Sequence, residues 1–453
     1  MYDILDTALR SARRYLSGIG ERSVAPSSGA VEALSALNEK LPEHSTDPGE
    51  TFALLDRIVS PATMAMAGPR FFGFVIGGTL PVTLAANWLA GAWDQNAGLN
   101  ESTPGVARLE EIALRWLIEL FELPAATAAG FVTGATVANF TALAAARHAV
   151  LARAGWNVEA DGLFGAPPIS VIIGQEAHPT LLKSLGMLGL GRTRVVRVPV
   201  DGQGRMRAEA LPKLKPPAIL CVQAGNVNTG AFDPFDPLIE RAHQDGAWVH
   251  VDGAFGLWAK AAPSLRHLAQ GLEHADSWAT DAHKWLNVPY DSGLAFSRDS
   301  HALSAAMAIT AEYLPTQSQH RNPCDFTPEL SRRARGVEVW TALRSLGRAG
   351  LAELFERNCR QAARFAQRLG AAGYQILNEV VLNQVLVSFG EAERTRRVIA
   401  ALQNEGTCWC GPTVWQGQTA MRISVSSWAT TDEDVERSVE AMLRMAAAAS
   451  ASA

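Results

Sequence analysis

Residues 247–286 read AWVHVDGAFGLWAKAAPSLRHLAQGLEHADSWATDAHKWL and contain two short apolar runs, each of which leads into an aspartate. The first run, Ala247–Val251, precedes Asp252, and the second, Ser277–Thr280, precedes Asp281. Short apolar runs of this kind are typical of strands that are buried on both faces of a sheet. Each aspartate is therefore expected where a buried strand ends.

The same pattern of β-rich runs continues towards the N-terminus. Further runs are Ile169–Ile173, Arg194–Val198 and Ala218–Val222, and alanine-rich helical stretches lie between them. Alternating strands and helices predict an α/β fold in which a mostly parallel central sheet is wrapped by helices on both faces.

The chain is long enough for more than one domain. Its predicted parts are an N-terminal helical segment (1–60), a large α/β domain (61–310) and a lid loop with a small C-terminal α+β domain (311–453). The loop, Ala311–Pro328, contains several prolines, and long loops in compact enzymes are often functional lids. A helix is predicted over Val337–Leu369, and the Ala/Ser tail after Met445 is expected to be frayed.

Composition and charge exclude several kinds of partner. Charged residues make up 19% of the chain and the formal net charge is −5, so neither a nucleic acid nor a membrane surface is expected to bind. No run of about 20 apolar residues could span a bilayer. The first 16 residues carry charges throughout and lack the apolar segment of a signal peptide, so a cytoplasmic location is expected.

The cysteines do not suggest a metal centre. They are scattered and odd in number, namely Cys221, Cys324, Cys359, Cys408 and Cys410. The Cys408–Cys410 pair has no second pair of metal-binding spacing, so free thiols are expected, with no metal.

The strongest chemical motif is Asp281-Ala282-His283-Lys284-Trp285-Leu286. A single lysine after a strand is usually a surface charge, but apolar residues both precede and follow this one. Apolar surroundings favour the neutral amine, which is the form that attacks an aldehyde to give an imine. His283, beside it, can donate a hydrogen bond to a phosphate.

A second motif, His250–Gly256, closes the strand at Asp252. Its simplest interpretation is a strand end followed by a turn. Its functional interpretation is a carboxylate that pairs with a protonated pyridine nitrogen, so that the ring can take up electrons. Ala254 would then lie flat against one face of that ring.

Three further motifs are weaker when taken singly. Thr133-Gly134-Ala135-Thr136 precedes a helix, whose free N–H groups and dipole favour phosphate, although hydroxyl residues also cap many helices. His178 follows a predicted strand and can stack on a ring or move a proton, although a lone histidine is more often structural. The polar loop Gly225–Pro234 also follows a strand, where open α/β sheets bind ligands.

In their order and spacing, these motifs resemble the group II pyridoxal-phosphate-dependent amino acid decarboxylases, which have the aspartate aminotransferase fold (fold type I). The resemblance extends from Gly68–Phe74 to Met421–Ser424 and includes Ser331–Trp340 and Leu346–Gly350. Asp281–Trp285 is its most specific match.

The resemblance implies a role for each of the matching residues. Lys284 would hold pyridoxal 5′-phosphate as a Schiff base, Asp252 would pair with the pyridine nitrogen, and His178 would stack on the ring. The residues implied in cofactor binding are Gly134, Ala135, Thr136, His178, Asp252, Ala254, Asp281, His283 and Lys284. Of these, Gly134, Ala135, Thr136 and His283 would surround the phosphate. The family also implies a homodimer whose active site lies at the interface, with Phe71–Ile76 and Trp88–Asn96 contributed by the partner.

The chain departs from the family at two positions that bear on chemistry. Many members carry a lid tyrosine that protonates the product carbanion, and the nearest equivalent here is Phe326, with Tyr313 earlier in the same loop. If Phe326 occupies that position, an aldehyde could replace the amine as product. A threonine that usually follows the third strand corresponds to Val227, so its side-chain contact is not carried over.

The preferred hypothesis is α-decarboxylation of an L-amino acid, catalysed by Lys284, His178 and Asp252. Other chemistry on the same cofactor stays open, namely transamination, aldol-type cleavage or oxidative deamination, and so does a non-catalytic binding protein. Arg422 distinguishes decarboxylation from the other reactions, because an arginine that clamps the α-carboxylate would disfavour loss of CO₂. Residues expected to contact the substrate are Phe72, Phe74, Phe326 and Arg422. No additional cationic residue stands out to bind an acidic side chain, which favours an apolar or aromatic substrate.

Overall fold

The apolar runs form two sheets in a computed structural model of the protein, which describes residues 3–309 and 320–451. The strands within these ranges are β1 (Ala128–Val132), β2 (Ser170–Gly174), β3 (Val196–Val198), β4 (Ala218–Gln223), β5 (Trp248–Asp252), β6 (Ser277–Asp281), β7 (Gly293–Ser297), β8 (Gln375–Ile376), β9 (Gln384–Ser388), β10 (Gly411–Trp415) and β11 (Gln418–Ser424). Every strand predicted from an apolar run is present, displaced by two residues at most at either end.

The larger sheet has seven strands in the order β1-β7-β6-β5-β4-β2-β3. Strand β7 is antiparallel to both of its neighbours, whereas β3, β2, β4, β5 and β6 pair in parallel. This arrangement confirms the fold type I prediction of a mostly parallel sheet. Because the parallel strands share one direction, their carboxyl ends lie along one edge of the sheet.

Helices cover the larger sheet and connect its strands. The α-helices within the same ranges are α1 (Asp3–Ser17), α2 (Ser28–Glu32), α3 (Pro48–Ala62), α4 (Pro81–Trp93), α5 (Pro104–Leu120), α6 (Ala135–Arg153), α7 (Val158–Asp161), α8 (Pro179–Met187), α9 (Phe235–Gln244), α10 (Ser300–Met307), α11 (Gly336–Ala371), α12 (Ala392–Glu405) and α13 (Asp432–Ala451). Helix α6 is rich in alanine, a strong helix former, and Ala138, Ala142 and Ala145 are fully buried. Small side chains let α6 lie close to the sheet.

Helix α11 contains the predicted helix Val337–Leu369 and bends at Gly347, whose φ of +58° is not helical. Glycine adopts this left-handed conformation without a side-chain clash, so the chain can change direction there and remain helical on both sides.

The second sheet is antiparallel, has the strand order β10-β11-β9-β8, and packs against α12 and α13 around a separate apolar core. Phe72 belongs to this core and meets Phe365 edge to face, although it falls within the predicted large domain. The domain limits at residues 60 and 310 stay a prediction.

Three smaller observations concern the C-terminal tail, the helices and the cysteines. The Ala/Ser tail does not fray after Met445 as predicted, because α13 continues to Ala451 with Ala446 and Ala449 buried in the second core. None of the helices in the two described ranges is both long enough and apolar enough to cross a membrane. The five cysteines are free thiols.

Candidate active site

The loops that follow the parallel strands enclose a cavity of about 260 Å³. All nine predicted cofactor residues line it, which are Gly134, Ala135, Thr136, His178, Asp252, Ala254, Asp281, His283 and Lys284. The remaining lining residues are Thr133, Val137, Thr180, Gln223, Gly225, Val227 and Phe255. The structure therefore brings together residues separated by up to 151 positions (133 to 284) in the sequence.

Lys284 lies just beyond β6 and forms an ion pair with Asp281. Its Nζ is 3.1 Å from the carboxylate Oδ2, and the lysine side chain is 19% exposed. Buried apolar residues flank this lysine in the sequence, and its nearest charged neighbour is a buried carboxylate. Lys284 is held in place by that carboxylate and still reaches the cavity.

Asp281 also connects the lysine to the start of α6. Its Oδ1 accepts a hydrogen bond from the Ala135 N–H at 2.5 Å. Gly134, which precedes the helix, has no side chain to cap it, and a Cβ there would come within 3.1 Å of the His283 ring. The absence of a side chain at Gly134 therefore leaves room for the close approach of these segments.

The N-terminus of α6 can bind an anion. Among the residues that the structure describes, no acceptor is found for the N–H groups of Thr136 and Val137, and both residues line the cavity. Unpaired N–H groups and the positive end of the helix dipole attract phosphate.

His283 is fixed by three neighbours. Its Nδ1 accepts a hydrogen bond from the Ser292 N–H at 3.2 Å, its Nε2 lies 3.5 Å from Asp281, and its ring stacks on Tyr290 at 4.2 Å. Burial lowers the pKa of His283, and Asp281 opposes that change. Because Nδ1 is an acceptor, the neutral ring carries its proton on Nε2.

Asp252 ends β5 and is almost completely buried. Its Oδ2 accepts a hydrogen bond from Asn139 Nδ2 at 3.3 Å, and its Oδ1 accepts one from the Ala254 N–H at 3.3 Å. Burial raises the pKa of Asp252, whereas His178, Lys284 and these two donors lower it. Each oxygen accepts one hydrogen bond from the protein and keeps a lone pair for a group in the cavity.

His178 caps helix α8 and lines the opposite side of the cavity. Its Nδ1 accepts a hydrogen bond from the Thr180 N–H and lies 2.6 Å from the Thr180 hydroxyl. Burial lowers the pKa of His178, and the charges of Lys284 and Arg422 add to this effect while Asp252 opposes it. The neutral ring therefore keeps its proton on Nε2.

The predicted substrate residues do not line the cavity. Phe72 is buried in the core of the second sheet and cannot reach a ligand, so that prediction is corrected. Phe74 is exposed and packs on Trp409, with 5.3 Å between ring centroids. Arg422 extends from β11 and donates a hydrogen bond to Asn228 at 3.3 Å.

Phe326 also lies away from the cavity. It ends a 3₁₀ turn (Pro323–Phe326), where the guanidinium of Arg321 lies 4.4 Å from its ring centroid. Its backbone packs against Gly130, on β1. Phe326 therefore does not line the cavity of its own chain, and its assignment to the proton-donor position stays a prediction. Tyr313 lies outside the described residues.

The two segments predicted to come from a partner differ in their surroundings. Within Phe71–Ile76, Phe71 and Val75 are buried, and the following Gly77 packs directly on the backbone carbonyl of Lys284 in the same chain. In Trp88–Asn96, by contrast, several apolar side chains of α4 are exposed.

Sequence reasoning missed Asn139 and Tyr290. Asn139 is fully buried in α6 and bonded to Asp252, and Tyr290 stacks on His283. An asparagine within an otherwise alanine-rich helix was a signal for the first, because a buried amide requires hydrogen-bonding partners. No comparable signal marked Tyr290.

The chain has counterparts among known proteins. Residues 32–390 match the model of the pyridoxal-dependent decarboxylase conserved domain. The chain belongs to this family. It is therefore a carboxy-lyase that acts on an amino acid, with pyridoxal 5′-phosphate as its cofactor.

Curated relatives within the family differ in substrate. The chain is 26% identical to the aromatic-L-amino-acid decarboxylase of Bacillus atrophaeus over 420 residues, covering 88% of this chain and 85% of that protein. It is 27% identical to the L-2,4-diaminobutyrate decarboxylase of Rhizobium meliloti over 428 residues, covering 89% and 83%. Both relatives are named as decarboxylases, but their names give different substrates.

The fold is shared with solved decarboxylase structures. Oryza sativa TDC with PLP and tryptamine superposes with a TM-score of 0.91 at 22% identity, covering 98% of this chain and 97% of that one. The residues of this chain fit the cofactor: α6 offers unpaired N–H groups for a phosphate, Lys284 offers an amine, and Asp252 offers a buried carboxylate.

Proposed function

We propose that the protein decarboxylates an L-amino acid with an apolar or aromatic side chain. The observation that carries this proposal is the cavity lining: among the residues that the structure describes there, Lys284 is the one lysine or arginine, and Val227 and Phe255 add apolar surface. An acidic substrate side chain would require a second cation. The likeness to an aromatic-L-amino-acid decarboxylase supports the same class.

Each cavity residue has a proposed role towards the cofactor. When bound, pyridoxal 5′-phosphate attaches amino groups through its aldehyde and takes up the electrons released when a bond at Cα breaks. Lys284 would hold the aldehyde carbon, and the start of α6 together with His283 would hold the phosphate. Asp252 would hold a proton on the ring nitrogen, and Ala254 and His178 would enclose the ring from its two faces.

His178 is the proposed proton donor to Cα after CO₂ has left. Its Nδ1 is occupied by Thr180, so its proton is on Nε2, and the ring lines the cavity. The form of His178 that donates a proton is the imidazolium, in which Nδ1 would donate to the Thr180 hydroxyl. Burial lowers the pKa of His178 and so makes this imidazolium the stronger acid, while the charge of Asp252 favours its formation. Phe326 does not line the cavity of its own chain, so His178 takes the place of the lid residue in this proposal.

The position of Arg422 supports decarboxylation over the alternative cofactor reactions. It does not line the cavity, and its Nη1 is bonded to Asn228. An arginine held there by Asn228 would not clamp a substrate carboxylate in the plane of the ring, and the bond to CO₂ would then be free to stand perpendicular to it.

We also propose that two copies of the chain associate through the exposed face of α4. Val82, Trp88, Leu89 and Trp93 are each at least 40% exposed there, which is unusual for large apolar side chains on one helix. The proposal rests on the family resemblance and on this face, and an active monomer in light scattering would contradict it. A cytoplasmic location stays a prediction.

Incubation with each of the twenty amino acids tests the proposed function. Purified holoenzyme is expected to release CO₂ and the matching amine from aromatic or large aliphatic amino acids, whereas Lys284→Ala releases neither. Aldehyde, ammonia and keto acid are measured separately. Preference for an acidic or basic amino acid would contradict the substrate class, and amino transfer without CO₂ would contradict the reaction.

A further inference from the structure

Four buried side chains lie behind Asp252 and form a continuous chain of hydrogen bonds. Trp248 Nε1 is 2.9 Å from Ser277 Oγ, which is 2.9 Å from His250 Nδ1. His250 Nε2 is 2.8 Å from Asn139 Oδ1, and Asn139 Nδ2 is 3.3 Å from Asp252 Oδ2. Adjacent strands β5 and β6 supply the first three residues, and α6 supplies Asn139.

The direction of this chain follows from its first member. An indole N–H can only donate, so Ser277 Oγ accepts from Trp248 and has His250 Nδ1 as the acceptor for its own hydrogen. Burial lowers the pKa of His250 to about 3, so the ring is neutral and carries one proton, on Nε2. That proton goes to Asn139 Oδ1, which leaves the amide N–H groups facing Asp252.

The reverse direction would leave two groups unsatisfied. The Ser277 hydroxyl would accept from both Trp248 and His250, and its hydrogen would have no acceptor among the described residues. Asn139 would then turn its carbonyl towards the Asp252 carboxylate, placing two acceptors against each other. Such an arrangement is compatible only with a protonated Asp252.

Asp252 depends on Asn139 as a hydrogen-bond donor because its other neighbours have opposite effects on its pKa. Burial raises the pKa of its carboxyl, and Cys221 of β4 contributes no charge to offset that. His178 and Lys284 face the carboxyl from two other loops and lower its pKa, but both have proposed roles with the cofactor. Asn139 and the Ala254 N–H remain as fixed donors.

We propose that the hydrogen bonds along Trp248–Ser277–His250–Asn139 all run in the same direction, so that each side chain donates to the next. Through Asn139 they keep Asp252 ionised as a hydrogen-bond acceptor and oriented towards a cationic ring nitrogen. Asn139 and His250 are therefore positioning residues rather than catalytic ones, since neither lines the cavity. The inference rests on the proposed pairing of Asp252 with the cofactor ring.

Cofactor affinity tests this inference without any amino acid substrate. The apoenzyme is titrated with pyridoxal 5′-phosphate and with the analogue in which C–H replaces the ring nitrogen, following the absorbance of the bound compound. Asn139→Leu is expected to bind the natural cofactor about tenfold more weakly and the analogue unchanged, because only the first has a ring nitrogen for Asp252.

Thr141→Val is the matched control, because it lies on the same helix, is fully buried, and removes a hydroxyl that has no partner in the described part of the chain. Both affinities should stay at the wild-type value in this variant. Equal losses for the two compounds in Asn139→Leu would show a structural role and overturn the inference, as would no loss for either.

Ser277→Ala extends the test if Asn139→Leu does not fold. It touches neither Asp252 nor the cavity, yet it removes the donor to His250 and should weaken the natural cofactor about threefold, with the analogue unaffected. An unchanged affinity of Ser277→Ala for the natural cofactor would contradict the proposed chain of hydrogen bonds. If the wild-type protein binds both compounds equally, Asp252 does not pair with the ring nitrogen. Failure to decarboxylate apolar amino acids would contradict the proposed function but would leave these two affinities unaffected.

Discussion

Two lysines near the same sheet, Lys284 and Lys260, are surrounded differently. Lys260 is 3% exposed and its Nζ lies 3.0 Å from Glu122 and 2.8 Å from Glu273. Lys284 is 19% exposed, has one carboxylate partner at 3.1 Å, and lines the cavity. Lys260 is the more deeply buried of the two, but it is held between two carboxylates and does not line that cavity.

If Lys284 is the reactive lysine, as proposed, burial alone does not distinguish it from Lys260, which is the more deeply buried. The Lys260 ammonium lies between two carboxylates and does not line the cavity, so it is not placed to meet a ligand there. An ammonium with one partner, at the edge of a cavity, can exchange that partner for a ligand. The number of carboxylates and the adjoining space decide the role.

Borohydride reduction of the holoenzyme should separate the two lysines completely. The expected result is a pyridoxyl label on the peptide that contains Lys284 and none on the peptide that contains Lys260, because imine formation needs an accessible amine. Peptide mapping by mass spectrometry measures this. A pyridoxyl label on Lys260 would contradict the proposed difference between the two lysines.

Lys284→Ala should lower turnover by at least about a thousandfold, since it removes the proposed attachment point. Its thermal unfolding midpoint is also expected to fall, because the buried carboxylate of Asp281 loses its charged partner, so turnover is compared per folded molecule. Lys260→Met serves as the control and should keep most of its turnover per folded molecule. Comparable activity losses in the two variants would contradict the comparison.

Lys260→Met should lower the free energy of unfolding by about 2 kcal/mol, because two carboxylates lose a charged hydrogen-bond donor. The expected loss of unfolding free energy is moderate because Glu122 and Glu273 are 43% and 28% exposed and gain hydration when the lysine is removed. Urea unfolding of the apoenzyme measures the change. A variant as stable as wild type would show that these ion pairs contribute nothing.

The smallest expected effect is the pH dependence of that difference. Burial raises the pKa of Glu273, but the hydrogen bond and charge of Lys260 outweigh it, so the net pKa lies below the ordinary 4.5. A lowered folded-state pKa gives stability that is complete above pH 4.5 and is lost as pH falls through the folded value. The gap between wild type and Lys260→Met should therefore narrow below pH 4.5, and a gap that widens would contradict the assignment.

Much of the larger sheet could be predicted from local sequence. The apolar runs that became β2, β4 and β5 are continuous because parallel strands are buried on both faces, and such runs are recognisable without knowledge of their neighbours. The residues just beyond those runs were predicted to lie at strand ends, and their common site was implied by the family resemblance. Asp252 and Lys284 are the main examples.

Residues whose roles depend on distant partners could not be predicted in this way. Phe72 resembles a substrate contact in the sequence, but hydrogen bonds of its backbone to Trp409 and Ser424 place it in the core of the second sheet. Phe326 lies in a loop whose course is set by its packing on β1. In both cases the partner lies far away in the sequence, and no local pattern indicates it.

The sequence by itself determined the order of strands and helices, the positions of Lys284 and Asp252 at strand ends, and the glycine at the start of α6. Each of these depends on a residue's own chemistry and on its immediate neighbours. Only the tertiary structure decided that Asp281 pairs with Lys284 and that Asn139 faces Asp252 rather than solvent. These contacts depend on which strands are adjacent and on how α6 is rotated over them, and both are settled by the packing of the whole core.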